Sequence, residues 1–269
     1  MLAAPLMAAP LSICLRGNVQ SLPYIHMTAE MMNARGASVD YNRDRVDVAC
    51  PGALKPSEEL AEPDWSAAAF WYEIAAVTAG WVTLEGLKDK SLQGDRMAAG
   101  LFERLGVITE FTEEGAELSA TPDLYSSLDA DLSDMPDAVP ALVVTCCLAG
   151  SRFRLTGVGA LHNKECDRIE ALTAEMTKLG CILDVENYGN TLVWEGRRVP
   201  VTQLPVFETH NDHRMAMALA PVAVYVPGIV VKDVEVVSKS FPDYWRQLES
   251  AGFVLADPSM PLSVHETEE

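Results

Sequence analysis

Cations are scarce in this 269-residue chain: Lys and Arg number 20 against 39 Asp and Glu, for a formal net charge of −19. Nucleic-acid binding draws on a broad basic surface, so a nucleic-acid partner is not expected. If the ligand is an anion, the few cations have to be gathered in one cleft. The six cysteines (Cys14, Cys50, Cys146, Cys147, Cys166, Cys181) include no CxxC pair and no Cys/His spacing of a metal site. No structural metal is expected, and reduced thiols in a cytoplasmic protein are the simplest reading. No segment reaches membrane-spanning length free of charge and turn residues, which argues against a membrane protein. The apolar opening, residues 1–11, lacks a positive flank and is broken by Pro5 and Pro10, so a signal peptide is not expected. What the chain does have is 49% hydrophobic residues, enough for a sizeable globular core.

The sequence also repeats itself. Four amphipathic helical stretches stop at small-residue turns, Ala34-Arg35-Gly36, Arg104-Leu105-Gly106, Lys178-Leu179-Gly180 and Ser250-Ala251-Gly252, whose glycines lie roughly 70 residues apart. Helix-period apolar positions precede the stops, for example Met97, Leu101 and Leu105, or Ile169, Leu172, Met176 and Leu179, so one stripe of each helix is expected to pack inward. β-rich segments follow at residues 37–41, 107–111 and 181–185. Upstream of three stops lies a second helix, apolar almost all round, at residues 65–79, 137–149 and 212–224. A helix of that kind belongs inside a layer of other elements. Each ends near a glycine (Gly80, Gly150, Gly228) and runs into a strand at residues 81–84, 153–156 and 229–232. The unit reads βαβαββ once a short leading strand is supplied, for which residues 117–120 and 205–207 are candidates.

The first copy is incomplete, because residues 1–11 resemble the tail of a buried helix whose beginning is missing. A connector rich in Pro and charge at residues 51–63 marks a boundary. Residues 1–60 then form a partial, last module of an N-terminal-type domain, residues 61–256 a domain of three modules, and residues 257–269 an acidic tail. The expected fold class is α/β: repeated βαβαββ modules in an inverse α/β barrel-like domain, plus one partial module of a second domain.

Equivalent modules should bring their strand-to-helix loops to one end of the structure. Those loops carry Ser21-Leu22-Pro23-Tyr24, Ser91-Leu92-Gln93-Gly94-Asp95, Asn163-Lys164-Glu165-Cys166-Asp167-Arg168 and Ser238-Lys239-Ser240-Phe241-Pro242-Asp243-Tyr244. The most informative stretch is Glu208-Thr209-His210-Asn211-Asp212-His213-Arg214-Met215-Ala216-Met217, which opens into an apolar helix. A basic residue in the first turn of a buried helix is costly and suits an anion at that helix N-terminus. A capped core helix, with Asn211 or Asp212 as N-cap and Arg214 paired to a carboxylate, suits it equally well. The charges of residues 164–168 read either as ion pairs at a capped helix start or as part of a site. Ser133-Asp134-Met135-Pro136-Asp137 has the chemistry of a helix start.

Together these runs resemble the 5-enolpyruvylshikimate-3-phosphate synthase family of the shikimate pathway. The resemblance rests on Asn211-Asp212-His213-Arg214-Met215-Ala216-Met217, Lys164-Glu165-x-Asp167-Arg168, Pro136-Asp137-Ala138, Ser91-x-Gln93-Gly94-Asp95, Lys239-x-Phe241-Pro242-Asp243-Tyr244 and Ser21-x-Pro23-Tyr24, in family order from about residue 1 to 255. It implies two domains of three βαβαββ modules, with phosphoenolpyruvate and shikimate 3-phosphate bound between them. On this resemblance Arg168, Arg214 and Lys239 face phosphoenolpyruvate, Ser21 and Tyr24 contact shikimate 3-phosphate, and Asp137 and Lys164 hold its hydroxyls. Glu165 and Lys239 handle the proton at the methylene carbon, and Asp137 accepts the proton of the attacking 5-hydroxyl. The implied reaction is enolpyruvyl transfer with release of phosphate, leading to chorismate and the aromatic amino acids. It needs no metal and no cofactor, and the full-length protein is expected to be a cytoplasmic monomer.

Some positions depart from the pattern: Ala160 stands where the family often has Asn, and His162 and Cys166 stand where Arg and Thr are commoner. The family's other half, with its Lys-Ser pair, Gly-rich loop, further Arg and Ser-Ser-Gln stretch, has no counterpart here, so the chain as given reads as N-terminally truncated. Two rival expectations remain. One is the sister enolpyruvyl transferase that acts on UDP-N-acetylglucosamine, which lacks the Asn-Asp-His-Arg-Met-Ala-Met run. The other is a non-catalytic fragment that folds without turnover.

Overall fold

Four copies of the unit follow one another along the chain, and the computed structural model describes them over residues 1–17, 19–49, 52–56, 61–122 and 126–256. The first copy holds strand β1 (Leu11–Cys14), helix α1 (Leu22–Ala34), β2 (Val39–Tyr41) and β3 (Arg45–Val48), an antiparallel sheet in the order β1-β3-β2. The second holds α2 (Trp65–Thr78), β4 (Trp81–Glu85), α3 (Ala98–Glu103), β5 (Val107–Phe111) and β6 (Gly115–Ala120), antiparallel in the order β4-β6-β5. The third is complete: β7 (Ser127–Asp131), α4 (Val139–Ala149), β8 (Arg152–Thr156), α5 (Arg168–Thr177), β9 (Asp184–Glu186) and β10 (Thr191–Trp194). Its sheet order is β7-β8-β10-β9, with β7 and β8 parallel and the other pairs antiparallel. The fourth holds β11 (Val206–Phe207), α6 (His213–Leu219), β12 (Val230–Val231) and α7 (Tyr244–Ser250), with β11 and β12 parallel.

The βαβαββ order follows from where apolar side chains fall. α2 and α4 are buried almost all round, as is α6, and the three pack against one another. A helix with no polar face is stable only with other elements on every side. The sheets of the second and third copies pack against α2 and α4, and none of the four sheets closes on itself. On β4, Trp81, Thr83 and Glu85 alternate outward, as expected of a sheet with one wet face. One large core includes Phe70, Phe102, Leu118, Leu142, Leu172, Trp194 and Met217, whereas Ala4, Ala29, Met32, Val39, Val46 and Val48 form a separate small core in the first copy. No helix among the described residues is long and apolar enough to cross a membrane.

Helix starts are set by carboxylate caps. Asp64 accepts from the Ser66 N–H at α2, Asp167 from the Glu170 N–H at α5, and Asp212 from the Arg214 N–H at α6. Asp212, not Asn211, is thus the N-cap of the informative helix. α4 ends at Gly150 in the left-handed region, φ 75°, where a side chain would be strained.

Several expectations are corrected. Residues 117–120 are not a leading strand: they lie in β6, the central strand of the second sheet, and the third copy opens with β7 instead. Residues 205–207 do lead the fourth copy, as β11. Residues 1–11 hold a 3-10 turn at Ala4–Leu6 and no α-helix, with Ala4 and Pro5 buried and Leu2 and Leu6 exposed. Met97 points to solvent, its place in the inward stripe being taken by Ala98 and Phe102, since a 3-10 turn over Gly94–Met97 shifts the helix phase. In the fourth copy no strand follows α7 among the described residues. Part of the connector at 51–63, Cys50 and the tail at 257–269 lie outside the described residues.

Candidate active site

Loops of the third and fourth copies converge on one carboxylate, Asp137, in the 3-10 turn that starts α4. Its Oδ1 accepts from Arg168 Nη1 at 2.8 Å and lies 3.2 Å from Lys164 Nζ, while Oδ2 accepts from Arg214 Nη2 at 3.0 Å. Burial alone would push this carboxyl up. The charges of Arg214, Lys164 and Arg168 outweigh burial and hold it down at about 2, so Asp137 is ionised at neutral pH.

Arg168, the first residue of α5, forms the floor. Its side chain is 1% exposed and engages three carboxylates: Asp212 through Nε at 2.7 Å and Nη2 at 3.2 Å, Asp137 as above, and Glu165 through Nη2 at 2.8 Å. Asp212 is fully buried, so one side chain both caps α6 and neutralises the floor arginine. Glu165 also pairs with Lys239 Nζ, at the end of the 3-10 turn Val234–Lys239. Burial would raise the Glu165 carboxyl, but the Lys239 hydrogen bond, its own backbone and Arg168 bring it down to about 2. Lys239 is the exposed member of the set, at 60%, against 12% for Arg214 and 25% for Lys164. Charge accessibility thus rises from Arg168 at the base to Lys239 at the rim.

His213 stands behind this cluster. It is buried, with Nδ1 at 3.7 Å from Asp212 Oδ1 and 3.9 Å from Glu165 Oε1, too far for a hydrogen bond to either. Burial and the Arg214 charge lower its pKa, which favours the neutral imidazole. The Cys166 thiol donates to Asp212 Oδ2 at 3.6 Å and is pushed up to about 12 by burial and that carboxylate, so it stays protonated and is a weak nucleophile.

The first two copies reach the cluster through Asp95. Its Oδ2 accepts from Tyr24 Oη and from Ser66 Oγ, each at 2.8 Å, and its Oδ1 is buried without a partner among the described residues. Burial raises Asp95, and Asp137 raises it further. Tyr24 is likewise raised, by burial and by the charges of Asp95 and Asp137, so it remains a phenol. Ser21 holds a left-handed conformation, φ 57°, at the start of α1, and its N–H donates to Ser133 O at 2.8 Å; its hydroxyl does not cap the helix. Gly94 has no room for a side chain: a Cβ there would overlap Pro23 in the first turn of α1.

The structure therefore brings Asp137, Lys164, Glu165, Arg168, Arg214 and Lys239 into one network, with Tyr24 beside it on Asp95, while the Ser21 backbone bonds to Ser133, which is not a member of that network. Of the two readings of Arg214, the structure shows the capped helix with Arg214 paired to a carboxylate, Asp137. Sequence reasoning offered Asp212 only as a helix cap and gave no role to His213, Asp95 or Ser66. The first three lie inside the quoted motifs, so their signal was present; Ser66 carried none.

The sequence model of the family described as EPSP synthase (3-phosphoshikimate 1-carboxyvinyltransferase) matches residues 1–248. The chain belongs to the EPSP synthase family. A 3-phosphoshikimate 1-carboxyvinyltransferase of Bacteroides fragilis (strain YCH46) is 43% identical over 254 residues, covering 94% of this chain and 62% of the relative. One from Syntrophobacter fumaroxidans is 36% identical over 260 residues, covering 92% and 59%. This EPSP synthase family chain thus spans about 60% of the length of the curated relatives it matches. The EPSP synthase of Acinetobacter baumannii superposes with a TM-score of 0.70 at 21% identity, covering 93% of this chain and 58% of that one. The enolpyruvyl transferase NikO from Streptomyces tendae superposes at 0.65 with 17% identity, covering 93% and 57%. At such identities the likeness is one of fold, and it establishes the mixed α/β architecture.

Proposed function

We propose that this chain takes part in enolpyruvyl transfer from phosphoenolpyruvate to the 5-hydroxyl of shikimate 3-phosphate, with release of phosphate. The observation that carries the reading is the convergence of Lys164, Arg168, Arg214 and Lys239 on Asp137 and Glu165 from loops of two copies. In a chain of net charge −19, four cations in one network form a local field suited to two polyanionic substrates. Arg168, Arg214 and Lys239 are assigned to phosphoenolpyruvate, the arginines because a planar fork matches carboxylate and phosphate oxygens, the lysine as a point charge. Each guanidinium would exchange carboxylate partners for ligand oxygens on binding.

Ser21, Tyr24, Asp137 and Lys164 are assigned to shikimate 3-phosphate. Asp137 accepts the hydroxyl proton: it is ionised, and cations drawn away toward the substrates would leave it a stronger base. Glu165 and Lys239, in direct contact, handle the proton at the methylene carbon. No metal or organic cofactor enters these steps. Residues 61–256 act as a three-module domain, with residues 1–60 a partial module of a second. A cytoplasmic setting and a monomeric full-length protein complete the proposal.

Phosphate release with both substrates, together with calorimetric binding of each, tests the proposal. Turnover that needs both substrates and is lost in Asp137→Asn and Glu165→Gln supports it. Failure of the folded chain to bind either substrate overturns it.

A further inference from the structure

The connection from β11 to α6 turns back on itself just before the site. The Asp212 N–H donates to Thr209 O at 2.9 Å, closing a four-residue turn, and both central residues are left-handed, His210 at φ 54° and Asn211 at φ 58°. Those signs belong to a type I′ turn, which is dominated by glycine, asparagine and aspartate. Asn211 fits, since its short amide tolerates the left-handed region. The His210 Cβ crowds the carbonyl that follows it, so a histidine there is strained unless its ring is held from outside the turn. The turn matters because Asp212 comes next, capping α6 and binding Arg168, and Arg214 follows in the first turn of that helix.

What holds the ring is Glu175, about two turns beyond Arg168 on α5. Its carboxyl is 2% exposed, and both oxygens are engaged: Oε1 lies 2.9 Å from His210 Nε2, while Oε2 accepts from the Glu208 N–H at 3.0 Å and from Lys178 Nζ at 2.6 Å. Lys178 Nζ also donates to Val206 O at 2.9 Å. The C-terminal end of α5 thus grips the connection at residues 206, 208 and 210, and its first residue, Arg168, receives Asp212. A buried acid is costly unless its oxygens are matched, and the partners that match Glu175 lie outside the charged network.

We propose that Glu175 is a positioning residue for the phosphoenolpyruvate arginines: by holding His210 left-handed it fixes the turn that aims Asp212 at Arg168 and seats Arg214 beside Asp137. The inference rests on the assignment of Arg168 and Arg214 to phosphoenolpyruvate. Without the clamp, His210 is free to return to negative φ. The β11 side stays paired with β12, so the change is taken up on the other side, at Asp212.

Calorimetric binding of phosphoenolpyruvate and amide hydrogen exchange, on the same full-chain variants, test the clamp. Glu175→Met keeps the bulk of the side chain and removes its acceptors. It should weaken phosphoenolpyruvate binding about tenfold and speed exchange at residues 208–214, with α2 and α4 protected as in wild type. The deciding variant is Glu175→Met/His210→Gly. Glycine takes a positive φ with no Cβ to crowd, so the turn no longer needs the clamp, and both affinity and protection should recover. A role in packing alone gives no such recovery. A double variant that binds as weakly as Glu175→Met overturns the proposal, as does faster exchange spread evenly over the chain. If Glu175→Met does not fold, His210→Ala and His210→Gly carry the comparison, since both delete the imidazole and only alanine resists the left-handed φ. Weaker binding by the alanine variant supports the clamp, and equal affinities overturn it. A wild-type chain that binds no phosphoenolpyruvate refutes the assigned function instead, and exchange at residues 208–214 in the same variants then decides the role of Glu175 by itself.

Discussion

Replacing Glu73 by Met should make the protein more stable, and by an amount that grows with pH. Glu73 lies in the middle of α2 at 0% exposure, and neither carboxyl oxygen has a hydrogen-bond partner among the described residues. Burial raises its pKa well above the ordinary value, so the folded state retains a proton that the unfolded chain gives up. A group raised in this way supports folding fully below its unfolded pKa of about 4.3 and withdraws that support as pH climbs through the folded value. In that interval wild type loses about 1.4 kcal/mol per pH unit relative to a variant without the carboxyl. An unsatisfied buried polar group costs a further ~1–3 kcal/mol even when neutral. At ~2–4 °C per kcal/mol for a chain of this size, the unsatisfied group alone should make Glu73→Met melt about 2 to 12 °C higher than wild type, and the proton-linked loss adds to that gap as the pH rises. Glu73→Gln separates the two contributions, because it keeps the unpaired polar group and removes the titration. It should flatten the pH dependence with little gain at pH 5. Urea and thermal unfolding of the three proteins at pH 5, 6, 7 and 8 provide the measurement. If the difference between wild type and Glu73→Met is the same at pH 5 and pH 8, Glu73 is not a buried protonated acid and the reasoning fails.

Arg168→Met removes the partner of fully buried Asp212 and should cost ~3–5 kcal/mol in urea unfolding, the price of leaving a buried charge unpaired; a loss under about 1 kcal/mol would show that Asp212 finds another partner. Arg214→Ala should weaken phosphoenolpyruvate binding in calorimetry far more than it lowers stability, since Asp137 keeps Arg168 and Lys164; an unchanged binding isotherm would remove Arg214 from that role. Asp137, held at about 2 by its cations, contributes stability that is present above its unfolded pKa of about 3.9 and lost as pH falls toward 2. Asp137→Asn should therefore flatten the acid limb of the stability curve between about pH 4 and pH 2, and an unaltered limb would contradict the pairing.

Helix identity was the most legible level of the sequence. Residues 65–79, 137–149 and 212–224 lack a polar face, and all three turned out to be interior, because no other environment accepts such a surface. The strands at 81–84, 107–111 and 153–156 were equally plain. Leading strands were not. β7 is Ser-Leu-Asp-Ala-Asp, with acids facing solvent and little β-propensity, and its place is fixed by parallel pairing with β8 across a buried helix, a long-range contact that local pattern does not encode. The cations of the site were readable from the motifs, but their partners were not. Nothing in the motif showed that the Arg168 side chain is 1% exposed and held by carboxylates from residues 137, 165 and 212. Only the fold shows that the same Asp212 serves as helix cap and counter-ion.

Gly94 adds a constraint that no side chain announces. Because its bare Cα sits against Pro23, helix α1 approaches the second copy closely enough for Tyr24 to reach Asp95. A single methyl group at position 94 would act as a shim, lifting the start of α1 and opening the gap between phenol and carboxylate without altering either. The spacing between the first copy and the charged network is thus gauged by an atom that is missing, and an alanine there would disturb the network from a residue that never touches it.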